Sequence, residues 1–302
     1  MKKFQFVLVA VVLGGTGLAL YRFLLPHMIH EQKRAVVKAR ATMLNHKIPS
    51  FKDLLNFLEG KYPSVGKEYV DYYERVVEFF PQAADAYGML GFCYFHRGQV
   101  ERAIAAYTQA STLTPRFFWY PLNLGLIYYR EEQYTQAAES LQKAVAIPPQ
   151  ETLNQIKTST VYRQILSEVR DVPHSPFLKM EEGFRLAYRY LLRSLHQLKN
   201  YERMLYYTQM AGQMGLANDG EFYYFAGLAY GGQKDMEQAA GLFQECLHRD
   251  PSFIEAYQPL AEALQALGKP ELAEKFLKKA EEISQSLSSQ GDREEKVALR
   301  IF

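Results

Sequence analysis

Three sets of residues have types that could do chemistry. His27, His30 and Glu31 lie within one turn of each other and could start a metal site. A structural or catalytic transition-metal site recruits further Cys, His or carboxylate ligands at set spacings, and none stand nearby. These three read as interfacial side chains, and no metal is expected. Cys93 and Cys246 are the only thiols, and no CxxC occurs, which excludes thioredoxin-like and zinc-ribbon chemistry. His96 and His196, next to an irregular block at 152–184, could serve as general bases. Such a role needs a nucleophile or acid at hydrogen-bond range, and no constellation of that kind is visible. The chain has no G-x-S-x-G, no phosphate-binding glycine loop and no HExxH. The pairs Gly14-Gly15 and Gly231-Gly232 fall in an apolar run and a turn. Glu131-Glu132 and Glu281-Glu282 fall at predicted helix ends and surfaces, where carboxylates are solvated. The expectation is a protein that is not an enzyme and binds no cofactor.

The 302 residues suffice for one large domain or two ordinary ones, and 48% of them are apolar, enough for a folded core. Charge is unevenly placed. Residues 1–49 hold eight Lys/Arg and one acid, Glu31, which leaves 27 basic and 32 acidic residues beyond them. The head is therefore +7 and the body −5. A net negative body argues against nucleic-acid binding. A basic head suits a membrane-proximal segment.

Lys2 and Lys3 precede an uncharged run, Phe4 to Tyr21. At 1.5 Å per residue it spans about 27 Å, close to a bilayer core. Snorkelling by Arg22 extends the span to Leu25, and Pro26 ends it. Residues 1–26 are thus expected to be a single transmembrane anchor. A cleaved signal sequence is the alternative, with Gly17-Leu18-Ala19 as a weak small-x-small site. Its apolar core would ordinarily be shorter, about 7–15 residues. The flanking cations lean toward a cytoplasmic body. Residues 27–49 read as a basic linker helix, solvated or resting on anionic lipid.

Beyond residue 50 the elements repeat every 34 residues. Tyr87, Leu90-Gly91, Tyr94, Ala103, Tyr107, Ala110 and Pro115 recur one period later as Leu124-Gly125, Tyr128, Ala137, Leu141, Ala144 and Pro149. They recur again as Tyr223, Ala226-Gly227, Tyr230, Ala239, Phe243, Cys246 and Pro251. A further copy holds Tyr257, Leu260-Ala261, Leu264, Gly268, Ala273, Leu277 and Ala280. The pattern resembles the tetratricopeptide repeat (TPR), in which each unit is a pair of antiparallel helices. The resemblance implies an all-α, right-handed superhelix of about five to seven helix pairs over residues 50–290. The small residue after the leucine lies where the helices press close, and Ala103, Ala137 and Ala239 do the same on the second helix. Pro115, Pro149 and Pro251 end the second helices.

The units fall at 84–117, 118–151, 220–253 and 254–287, with degenerate ones near 50–83 and 185–218. Residues 152–184 break the pattern. They form either a unit without its signature or an insertion that bends the superhelix. Residues 291–302 would cap the array as a short helix or remain a tail. Cys93 and Cys246, in non-adjacent units and at packed positions, read as buried and inert.

In the family that the repeat resembles, the first helix of each unit lines a concave face. Carried across, the lining residues are Phe92, Phe95 and His96 in the first clear unit. The next unit gives Trp119, Leu122, Leu126, Tyr129 and Arg130. The later units give Arg189, Arg193 and His196, then Tyr224 and Leu228. Aromatics of this kind also pack between repeats. Where some members hold a carboxylate clamp, this chain has Gly88, Phe92 and His96, so that clamp is absent. The lining is aromatic and basic, which suits a peptide or amphipathic helix carrying some acidic residues. The expected function is a membrane-tethered scaffold that binds a protein partner in this groove. The alternatives are a permanent subunit of a larger membrane complex and, more distantly, an enzyme using the 152–184 block.

Overall fold

A computed structural model of the chain describes residues 65–159, 180–216 and 220–288. The expected anchor at 4–25, the basic segment 27–49, the start of the unit at 50–83, the loop around Pro173 and Pro176, and the tail 291–302 lie outside the described residues. Among the described residues there are twelve α-helices, one 3-10 turn and no strand. No helix among them is long and apolar enough to cross a membrane.

Helix α1 spans Lys67–Phe79. Five helix pairs follow. They are α2 (Ala84–His96) with α3 (Val100–Leu113), and α4 (Trp119–Arg130) with α5 (Tyr134–Val145). After a single helix, α6 (Pro149–Thr158), come α7 (Met180–Gln197) with α8 (Tyr201–Gln213). The last pairs are α9 (Gly220–Gly232) with α10 (Met236–Arg249), and α11 (Tyr257–Ala266) with α12 (Pro270–Ser288). A 3-10 turn, Ile254–Ala256, precedes α11.

The turn inside every pair is built the same way. Gly98, Glu132, Lys199, Lys234 and Gly268 all have positive φ, between 54° and 74°. The N–H of the next residue reaches back to a carbonyl five residues earlier, as in Gln99 to Tyr94 (2.9 Å) and Asp235 to Tyr230 (3.0 Å). This is the Schellman closure of a helix C-terminus. Glycine fills the left-handed position without strain at two of the five turns, and Glu or Lys occupies it at the other three. Asn200 and Asp235 then cap the second helix by accepting from the N–H of Arg203 (3.3 Å) and Gln238 (3.1 Å).

The small residues of the repeat lie at the close approach of each pair, where they face a large side chain of the second helix and not its alanine. A Cβ on Gly91 would lie 2.6 Å from the Tyr107 ring. One on Gly125 would lie 2.4 Å from Leu141, and one on Gly227 2.6 Å from Phe243. Ala103, Ala137, Ala239 and Ala273 are fully buried. Helices α1 to α5 and α7 to α12 stack in chain order, and α7 packs directly on α5 and α4. The pair α7/α8 therefore follows α4/α5 in the stack. Helix α6 lies between the two pairs in sequence. Its Thr152 hydroxyl accepts from the buried N–H of Phe118 (3.0 Å), and Ser159 donates to Asp85 (2.7 Å). Pro149 differs from expectation. Helix α5 ends at Val145, and Pro149 takes the first position of α6, where its missing N–H costs nothing.

Candidate partner-binding face

The first helices of the pairs lie side by side, with α7 against both α4 and α9. Their side chains make a series of ring and guanidinium contacts. In α2 the His96 ring lies 4.3 Å from that of Phe92 and 5.3 Å from that of Phe95. Arg130, at the end of α4, stacks its guanidinium 4.6 Å over Phe95. Tyr129 meets Tyr190 of α7 edge-on at 4.8 Å, and Arg193 sits 5.4 Å over Tyr190. Arg189 Nε donates to Glu221 of α9 at 2.5 Å, and Arg193 reaches the other oxygen at 3.6 Å. Tyr224, one turn further along α9, lies 5.1 Å from Phe253, just before α11. Such stacks hold planar groups in place at little cost in side-chain freedom.

Burial divides the predicted residues into two groups. Phe92, Leu122 and Leu126 are fully buried, Trp119 is 1% exposed and Phe95 5%. These five are packed in the interior, where they hold neighbouring helices together, and they offer no open surface in this state. Gly183 shows how tight that packing is, since a Cβ there would lie 2.7 Å from the Trp119 ring. His96, Tyr129, Arg189, Arg193, Tyr224 and Leu228 are half-buried, and Arg130 is exposed. The open part of the face thus runs from Arg130 through α7 to Tyr224.

The electrostatics follow from burial. Desolvation, with help from Arg130, pulls His96 down to about 4, and desolvation also lowers His196. Both imidazoles stay neutral near pH 7. Burial pushes the Cys93 and Cys246 thiols up to about 12, which makes both poor nucleophiles. Tyr224 is raised chiefly by burial, then by Glu255, while Arg193 pulls it the other way. No group of three or more His, Cys, Asp or Glu able to hold a metal occurs among the described residues.

Two residues of the face escape a reading of the repeat alone. Tyr190 sits beside the signature leucine, Leu191, at a position where sister units carry no shared type. Glu221 is a first-turn acid, and only the pairing of α9 with α7 shows that it meets two arginines.

Four family models, described as tetratricopeptide repeat or TPR repeat, match residues 72–105, 91–131, 122–151 and 232–288. The fold is similar to that of solved proteins. A crystal structure of MamA matches with TM-score 0.50 at 22% identity, covering 66% of this chain and 97% of that one. A second MamA structure gives 0.51 at 21%, covering 72% and 100%. YrrB, described as a TPR protein with an unusual peptide-binding site, gives 0.50 at 18%, covering 72% and 97%. At these identities the likeness concerns the fold. No curated protein matches the chain.

Proposed function

We propose that this tetratricopeptide-repeat solenoid is a protein-interaction scaffold that binds an extended or helical segment of a partner along its first helices. The observation that carries this is the row of half-buried and exposed side chains Arg130, Tyr129, Arg193 and Tyr224, with Tyr129 and Arg193 set against the buried ring of Tyr190. Tyr and Arg are over-represented among residues that dominate interface energies, because they bring large contact area and directed polar groups together. The family signature and the fold shared with a peptide-binding TPR protein support the same reading. Catalysis is no part of it.

The apolar run at 4–25 supports a further element, an N-terminal membrane anchor that holds the scaffold and its partner at the bilayer, with the body on the cytoplasmic side. A photo-crosslinking residue placed at Tyr224 in the full chain, expressed in cells, tests the groove. A discrete adduct at Tyr224, absent when the crosslinker replaces exposed Gln109 on α3, is expected. Equal adducts at both positions would defeat the reading. Protease protection of a C-terminal tag in intact vesicles tests the orientation.

A further inference from the structure

A cavity of about 210 Å³ lies where α2 and α4 begin and α3 and α6 end. It stands apart from the face described above, since Asp85 and His96 are about 16 Å apart along α2. Phe117 and Tyr120, both buried and with ring centroids 4.6 Å apart, form its floor. Exposed Gln82, Gln155 and Thr158 line its mouth. Asp85, half-buried in the first turn of α2, is the one charged residue among the described residues that line it. Its carboxylate accepts from the Ala86 N–H (2.9 Å) and from the Ser159 hydroxyl (2.7 Å). It forms no ion pair among the described residues, and Arg116, beside Phe117 in sequence, turns to Glu151 instead (2.6 Å). Two helices begin at the cavity and two end there, so their dipoles oppose one another and Asp85 sets the sign of the charge.

We propose that this cavity binds an aliphatic cation, a primary ammonium or guanidinium on a short alkyl stem, with its charge on Asp85 and its stem against Phe117 and Tyr120. The site is separate from the groove and does not rest on the groove reading. Two neutral donors already meet the carboxylate, but an ionised carboxylate offers about four acceptor positions and can take a cation as well. Half-buried charges are screened less than exposed ones, and a charge-assisted hydrogen bond is about twice as strong as one between neutral groups. Ring faces attract ammonium and guanidinium groups and also cover their methylenes. An anion would meet Asp85 with like charge, and a neutral ligand would leave the carboxylate without a counter-ion. At about 210 Å³ the cavity is smaller than sites for drug-sized ligands, about 300–1,000 Å³, so it suits one side chain or a small amine. The same chemistry comes from a Lys or Arg side chain of a partner protein or from a free amine.

Isothermal titration calorimetry of the full chain in detergent tests this with n-butylammonium, n-butanol and butyrate, which differ chiefly in charge. Butylammonium is expected to bind at least about tenfold tighter than either of the others. Asp85→Asn keeps an acceptor for the Ala86 N–H and removes the charge, and it should weaken butylammonium about tenfold while leaving butanol unchanged. Ala84→Leu, at a half-buried position in the cavity wall, should abolish butylammonium binding by filling the space. A butylamine carrying a diazirine, photolysed with the wild-type chain, locates the site without any variant. Its label is expected on the segments 117–120 or 155–159. Nα-acetyl-lysine methylamide and 1,5-diaminopentane distinguish the sources. Tighter binding of the lysine amide supports a partner's side chain, and tighter binding of the diamine supports a free amine. The proposal is overturned if butylammonium does not bind, if butanol binds as tightly, if Asp85→Asn leaves the affinity unchanged, or if the label falls elsewhere. None of these results bears on the crosslink at Tyr224, so the groove reading stands or falls separately.

Discussion

Arg189 Nε meets Glu221 Oε2 at 2.5 Å, joining the first helix of one pair to the first helix of the next. The carboxylate is nearly buried and the two arginines around it are only partly exposed. Removing one member of such a cluster strands the others, and that penalty exceeds the worth of the contact itself. Glu221→Ala is therefore expected to destabilise the array by about 2 kcal/mol, less than for a fully buried pair because the arginines can turn to water. Thermal unfolding of the variant should show a midpoint lower by roughly 4–8 °C. An unchanged midpoint would mean that α7 and α9 are held by apolar packing alone.

The close approach inside a pair is testable at Gly125. A Cβ there would lie 2.4 Å from Leu141 Cγ, so α4 and α5 must separate to admit it. Gly125→Ala is expected to cost about 1–3 kcal/mol through overpacking. Leu141→Ala alone should cost about 2–5 kcal/mol through the cavity it leaves. Made together, the added methyl enters the vacated space, and the double variant should lose less than the sum of the two. A double-mutant cycle by denaturant unfolding measures this coupling. Strict additivity would show that the two positions are not in contact.

The contrast between Gly125 and Glu221 explains what was legible in the sequence. Gly125 and Leu141 lie sixteen residues apart within one repeat, and the repeat marks Gly125 as the close approach of the pair, although its partner is Leu141 and not the expected Ala137. The same holds for Gly91 with Tyr107 and Gly227 with Phe243. Ion pairs and ring contacts between units were not legible, because they depend on which pair stacks on which. Only the structure shows that α7 packs on α5, although α6 stands between them in sequence. The same packing sets Trp119, one of the expected groove residues, against Gly183 of α7. Phe92, Trp119, Leu122 and Leu126 occupy first-helix positions like those of Arg193 and Tyr224, yet they are interior. Position within a repeat gives a direction, and burial is set by what packs there. Pro149 is a third case, since one proline can end a helix or begin the next, and pattern alone does not separate the two.

The two thiols should be silent in the folded protein. Cys93 and Cys246 are fully buried, and burial holds both up to about 12. The thiolate is the reactive form, and solvent reagent reaches neither sulfur. Titration with a chromogenic disulfide at neutral pH is expected to detect no thiol in the native chain and two after denaturation. Rapid reaction of one thiol under native conditions would reveal local opening of its helix pair.

His96 predicts how the array responds to acid. It is packed against Phe92 and Phe95 with Arg130 close by, and burial and that cation together lower it from 6.5 to about 4. The folded chain therefore resists protonating it, whereas the unfolded chain takes up a proton near the ordinary value. This neutral imidazole contributes its full stability above pH 6.5, and the contribution is lost as pH falls from about 6.5 to about 4. A shift of that size corresponds to about 3 kcal/mol. His196, also lowered by burial, acts in the same direction. His96→Phe keeps a ring in the cluster and removes the titration. Its stability relative to wild type is expected to rise steadily between pH 6.5 and pH 4, since the His196 contribution is common to both proteins and cancels in the difference. The measurement is denaturant unfolding of both proteins at several pH values. Parallel stability profiles across that window would show that His96 is protonated without cost, and hence that water reaches it beside Phe92.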